Sequence, residues 1–172
     1  SYTGTISGSY IAKKGGTTHT ITWTIKGVRF ELVHVRSAEG SWTGFYNVAA
    51  GKVSYVDKET GTCGYTLTEK FALAPAMPKH NPSTPFYMTR SMLSRENYGG
   101  NLEPKKRWTI FEACSYPDQD PEARQLTVTP RNMFDTGSKA GKVGRALSGK
   151  YVYKDDFVQS TTTYKWSLKP RG

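Results

Sequence analysis

"TTHTITWTIKGVRFELVHVRS", residues 17–37, is the stretch on which the fold turns. Before Lys26, His19, Ile21, Trp23 and Ile25 take one face, while Thr20, Thr22 and Thr24 take the other. After Gly27 the alternation resumes. Val28, Phe30, Leu32 and His34 share one face, with Arg29, Glu31 and Val33 opposite. Alternation of period two marks a strand buried on one side, and two such runs either side of a glycine read as a hairpin. The expected turn is Lys26-Gly27, a weaker turn pair than Asn-Gly. Ile25 would then face Val28, Trp23 would face Phe30, Ile21 would face Leu32, and His19 would face His34.

The rest of the chain points the same way. "SWTGFYNVAAGKVSYVD" and "CGYTLTEKFAL" read as strands around the turn "KETGT", and "KKRWTIFEACSY" and "EARQLTVTP" flank the loop "PDQDP". Threonine, tyrosine and glycine are abundant and leucine is sparse; β-branched and aromatic side chains suit a pleated, half-buried surface. The expected class is all-β: a single antiparallel β-barrel or β-sandwich of about ten strands spanning residues 1–172. Two insertions interrupt it. Residues 75–104 begin proline-rich and continue into "FYMTRSMLSRENYGG", which suits a short helix ended by Gly99. Residues 134–146, "FDTGSKAGKVGRA", are rich in glycine and basic residues.

One internal similarity bears on topology. "ISGSYIAKK" leading to "TITWTIK" recurs as "LSGKYVYKD" leading to "TYKWSLK". Equivalent hairpins at the two ends suit a sheet whose first and last strands lie together, which protects edges that would otherwise stay open.

The chain carries 24 basic and 14 acidic residues, a formal net charge of +10, which draws it towards polyanions. Cys63 and Cys114 form an even pair, the expectation for a disulfide in an oxidising compartment. The chain starts at Ser1, and its longest apolar patch, "FALAPAM", is too short to span a bilayer. These features lead us to expect the mature form of an exported or cell-surface protein without a transmembrane segment.

Three sets of side chains suggest chemistry. His19 and His34, opposite each other in the expected hairpin, could share a zinc or copper ion with His80 or Glu112 as a third ligand. Asp118, Asp120 and Glu122 in "DQDPE" offer part of a calcium cradle by residue type, without its glycine or distant glutamate. The basic residues Lys13, Lys14, Lys105, Lys106, Arg107, Lys139, Lys142, Arg145 and Lys150, with Trp108 among them, would make a positive aromatic rim if their loops meet.

Catalytic and cofactor motifs are missing from the sequence. There is no Gly-x-Ser-x-Gly, His-Glu-x-x-His, Ser-x-x-Lys or Cys-x-x-Cys. "GSKAGK" is one residue short of a phosphate loop and lacks the hydroxyl that ligates magnesium. No cofactor is expected. Gly40-Ser41-Trp42 resembles the Gly-x-Trp of lipocalins, but two strands precede it here, and nothing is carried over from that family.

Three functional readings follow. The first is a non-catalytic binding module whose basic loops engage an acidic protein or anionic polymer. A self-assembling structural or surface subunit, a homo-oligomer, comes second. The third is a hydrolase of an anionic polymer that uses His34 or His80.

Overall fold

The computed structural model describes residues 1–73, 86–90, 96–100, 102, 104, 106–130, 139–140 and 146–172; at 86–90, 96–97, 99–100 and 139–140 the description is of the backbone. Eleven strands form one antiparallel sheet, with no helix among the described residues. Eight of them follow a curled path, a half-barrel: β10 (Leu147–Asp155), β11 (Ser160–Pro170), β1 (Tyr2–Lys14), β2 (Thr17–Ala38), β3 (Ser41–Thr60), β4 (Cys63–Ala72), β7 (Trp108–Tyr116) and β8 (Gln119–Val128). Three short strands branch from β3. β5 (Phe86–Arg90) pairs with residues 42–46, β6 (Glu96–Gly100) pairs with β5, and β9 (Lys139–Ala140) pairs with β6.

The expected hairpin at Lys26-Gly27 does not exist. β2 runs unbroken through it, pairing with β1 on one side and β3 on the other. Ile25 lies opposite Ile6 and Val53, and Trp23 opposite Gly8 and Tyr55. At residues 26–29 both registers slip, and Gly27 has φ +60°. This is a β-bulge with glycine in the left-handed conformation. A bulge inserts one residue and so flips the alternation, which keeps Ile25 and Val28 on the same face, as a two-residue turn would. Ile21, Trp23, Ile25, Val28 and Phe30 are all buried. The face was read correctly from Ile21 to Phe30; Leu32 and His34, expected on the same face, are exposed, with a second register shift between them, and the direction of the chain was misread.

The expected helix in the 75–104 insertion is also corrected where the chain is described. Residues 86–90 and 96–100 are strands, because the extended start of β3 offers them a ladder. Residues 74–85 and 91–95, and 134–138 and 141–145 of the second insertion, lie outside the described residues.

The two chain ends do lie together. β1 pairs with β11 over its length, from Tyr2↔Pro170 to Ala12↔Ser160. The repeated motif falls on equivalent hairpins either side of that seam. Gly8 stands opposite Trp23, and Gly149 opposite Trp166. A Cβ at Gly8 would lie 2.3 Å from Trp23 Cζ2, and one at Gly149 would lie 2.4 Å from Trp166 Cζ2. Each indole lies against a glycine that leaves it room.

The core fills the concave side of the curl. Ile6, Ile21, Ile25, Val28, Phe30, Val48, Tyr55 and Leu168 are its fully buried large side chains, and burying an aliphatic or phenyl group of this kind stabilises by about 1.5–3 kcal/mol. Tyr98 of β6 caps it, accepting a hydrogen bond from Trp166 Nε1 at 3.2 Å. β4 and β7 pair at two positions, Cys63↔Cys114 and Gly64↔Ala113. The Cys63–Cys114 disulfide expected from sequence therefore holds the β7–β8 hairpin to the main sheet.

Candidate binding face and a buried carboxylate cluster

Residues that alternate with the core project from the convex side, and register assembles them into rows. One row crosses six strands as Lys150, Lys165, Ser7, Thr24, Ser54 and Lys70. The next reads Lys154, Thr161, Ile11, Thr20, Lys58 and Thr66. Lysines thus gather in two banks. Lys150, Lys154, Lys165 and Lys169 lie on β10 and β11; Lys26, Lys52, Lys58 and Lys70 lie on β2, β3 and β4. All eight are exposed. Between β11 and β3 lies a lane of hydroxyls on β1 and β2, roughly 14 Å across at about 4.8 Å per strand.

The charge on this face is lopsided. Lys13 and Arg29 bring its cations to ten, against one carboxylate, Glu31, which Arg29 Nε meets at 3.0 Å. The acidic residues of the same strands, Asp57, Glu59, Glu69 and Asp155, alternate onto the core side. Among the described residues, none of the eight bank lysines forms an ion pair. In two cross-strand pairs, Lys150↔Lys165 and Lys26↔Lys52, lysine stands opposite lysine. Like charges placed so destabilise a sheet by about 0.2–1 kcal/mol per pair, a cost that a bound anion relieves.

Of the sequence-predicted basic rim, Lys13 and Lys150 belong to this face. Lys14 sits at the β1–β2 turn, its Nζ 5.4 Å from the centre of the Phe157 ring. Lys106 lies on the core side instead, 5.6 Å from the centre of the Phe71 ring, next to exposed Arg107. Trp108 stacks on Tyr55 at 5.5 Å and packs against the core, so it is no exposed platform. Lys139 is placed by its backbone in β9; Lys105, Lys142 and Arg145 lie outside the described residues. The face therefore draws mainly on strand lysines that sequence adjacency did not group. Their signal was present in part: most alternate with apolar residues inside a strand, whereas Lys58 stands between Asp57 and Glu59.

The structure does not bring His19 and His34 together. His34 stacks on Phe45, fifteen residues further along β2, a path of roughly 50 Å along the strand at about 3.3 Å per residue. His80 lies outside the described residues. Glu112 lies beside Cys63 and Cys114, whose sulfurs are bonded to each other and offer no thiolate. Asp118 occupies the β7–β8 turn, and Asp120 and Glu122 are exposed on β8.

His19 has another partner. Its Nε2 lies 2.6 Å from Asp57 Oδ1, and the same oxygen accepts a hydrogen bond from Tyr65 Oη at 2.9 Å. Tyr55 Oη donates to Oδ2 at 3.2 Å. The Asp57 side chain is 3% exposed and that of His19 24%. A buried carboxylate is tolerable when donors surround it, and here β2, β3 and β4 each supply one. Burial first, then the hydrogen bond to Asp57 and the charges of Asp57 and Glu59, hold the Tyr65 hydroxyl far above the ordinary phenol range. The cluster locks three strands together at one end of the sheet. Sequence reasoning missed it because Asp57 and His19 are 38 residues apart.

No known family, curated protein or solved structure matches this chain. No helix among the described residues is long and apolar enough to cross a membrane.

Proposed function

We propose that this chain is a non-catalytic binding module, exported or displayed at the cell surface, which holds a polyanionic partner against the convex face of β10, β11, β1, β2, β3 and β4. One observation carries the reading: ten cations and a single carboxylate on one continuous face, with lysine twice opposite lysine. The Cys63–Cys114 bridge supports an oxidising location. The basic loops first expected to make the contact give way to the strands. The same face repels a second copy of itself, which counts against self-assembly through it.

Retention on an immobilised polyanion tests the reading. If about five lysines contact the partner, binding should weaken by roughly a hundredfold between 50 and 200 mM salt, on the counterion-release slope of a single-stranded polyelectrolyte. Replacing Lys150, Lys154, Lys165 and Lys169 by glutamine should cut both affinity and slope. Retention that ignores salt, or survives those four substitutions unchanged, overturns the reading.

A further inference from the structure

On the reading that this face binds a polyanion, we infer that the partner is an acidic polysaccharide, a polymer of uronate or sulfated sugars, and not a nucleic acid. Three features of the face carry this choice.

The first is what lies between the lysine banks. The lane presents Thr5, Ser7 and Ser9 on β1 with Thr20, Thr22 and Thr24 on β2. A hydroxyl both donates and accepts, so it pairs well with ligand hydroxyls, whereas a phosphodiester backbone offers acceptors. An acidic sugar carries a carboxylate or sulfate flanked by ring hydroxyls. The row Lys150, Lys165, Ser7, Thr24, Ser54 and Lys70 places ammonium groups at its ends and hydroxyls in its middle, the complement of such a chain.

The second is the position of the aromatic side chains. Tyr2, Tyr10, Trp23, Phe30, Tyr164 and Trp166, on β1, β2 and β11, are all buried on the core side. Single-stranded nucleic acids gain about 1–3 kcal/mol per base by stacking on exposed aromatic rings. Among the described residues the rows between the lysine banks offer them none; the exposed rings of Phe111 and Phe157 lie on β7 and in the β10–β11 turn.

The third is shape. The core fills the inside of the curl, so the charged side is convex, and among the described residues it carries strands alone. Reading a duplex requires an element that enters a groove about 12 Å wide, and a duplex with a persistence length of about 50 nm touches a convex body along a narrow strip. A flexible polysaccharide can follow the curve and meet both banks.

The test compares polygalacturonate (carboxylate), dextran sulfate (sulfate), duplex DNA and poly(dT), matched for total charge, by calorimetry at 150 mM salt. We expect the polysaccharides to bind tightest. Substituting Thr20, Thr22 and Thr24 by valine keeps the β-branched shape and removes three hydroxyls; affinity for the preferred polysaccharide should fall about tenfold, at a modest net energy per lost hydrogen bond, with the weak DNA binding unchanged. Circular dichroism of the variant checks its fold, and Lys165→Gln serves as a second variant that weakens all four ligands. Duplex DNA or poly(dT) binding as tightly as the polysaccharides would overturn the inference and leave the polyanion reading standing. So would an unchanged polysaccharide affinity in the valine variant. No binding to any of the four, even at 50 mM salt, would overturn both.

Discussion

Replacing Gly8 by alanine should damage the fold through a single atom. The added Cβ would lie 2.3, 2.6 and 3.0 Å from Cζ2, Cε2 and Nε1 of Trp23, well inside contact distance. Trp23 is buried and ringed by core, so the indole has little room to retreat. Forcing a methyl group into a packed site costs about 1–3 kcal/mol. For a domain of this size that is about 2–4 °C per kcal/mol, hence a fall of roughly 2–12 °C in Tm. The decisive assay is a double-mutant cycle with Trp23→Phe, followed by thermal and urea unfolding. Phenylalanine lacks the outer ring that the methyl group strikes, so in its presence Gly8→Ala should cost little. The coupling energy should be about 1–2 kcal/mol, in the sense that the pair is less damaging than the sum. A cycle that closes to zero, or a Gly8→Ala variant as stable as the parent, would refute the packing argument. Gly149 and Trp166 should behave alike, except that Trp166→Phe also loses the hydrogen bond to Tyr98.

Asp57→Ala should cost about 2–4 kcal/mol, because it strands the donors of His19, Tyr55 and Tyr65 at a buried site; His19→Ala should cost less. Urea midpoints rank the two, and the reverse order would show that Asp57 does not organise the cluster. Tyr65 and Tyr46 both have folded pKa values above the ordinary 10, so the unfolded chain gives up those protons first. Stability should therefore be whole below pH 10 and fall as pH rises beyond it, with ultraviolet titration showing two phenols that ionise late. Removing the disulfide by Cys63→Ser with Cys114→Ser should cost about 4 kcal/mol, the chain-entropy value for a separation of 51 residues. Protease should then cut first in residues 108–128, which the bridge ties down; uniform cleavage would argue against that role.

The alternation within β2 and the strand character of β3 were legible because each strand buries one face and wets the other. The seam of first and last strands was legible in the repeated Ser-Gly-x-Tyr and Trp motifs, since equivalent hairpins leave equivalent patterns. The bulge at 26–27 was not. A turn and a bulge give Ile25 and Val28 the same face, and what separates them is pairing with Tyr2–Gly4 and with residues 48–52, contacts that no local window contains. The short strand at Phe86–Arg90 looked helical in isolation for the same reason, since its partner is the distant start of β3. The binding face was hidden differently. Lys105, Lys106 and Arg107 are neighbours in sequence and drew notice, whereas Lys150, Lys165 and Lys70 become neighbours of one row only once the register is known.

The seam between β1 and β11 has a consequence for biogenesis. β1 is synthesised before β11, so one of its two flanks stays bare until residues 160–170 arrive to cover it. Tyr2, Ile6 and Tyr10 cannot be enclosed earlier, since Trp166 and Leu168 complete their surroundings from the far end. Folding is thus dominated by contacts of very long range and should be slow. Until residues 160–170 are made, the sheet stays open along that edge.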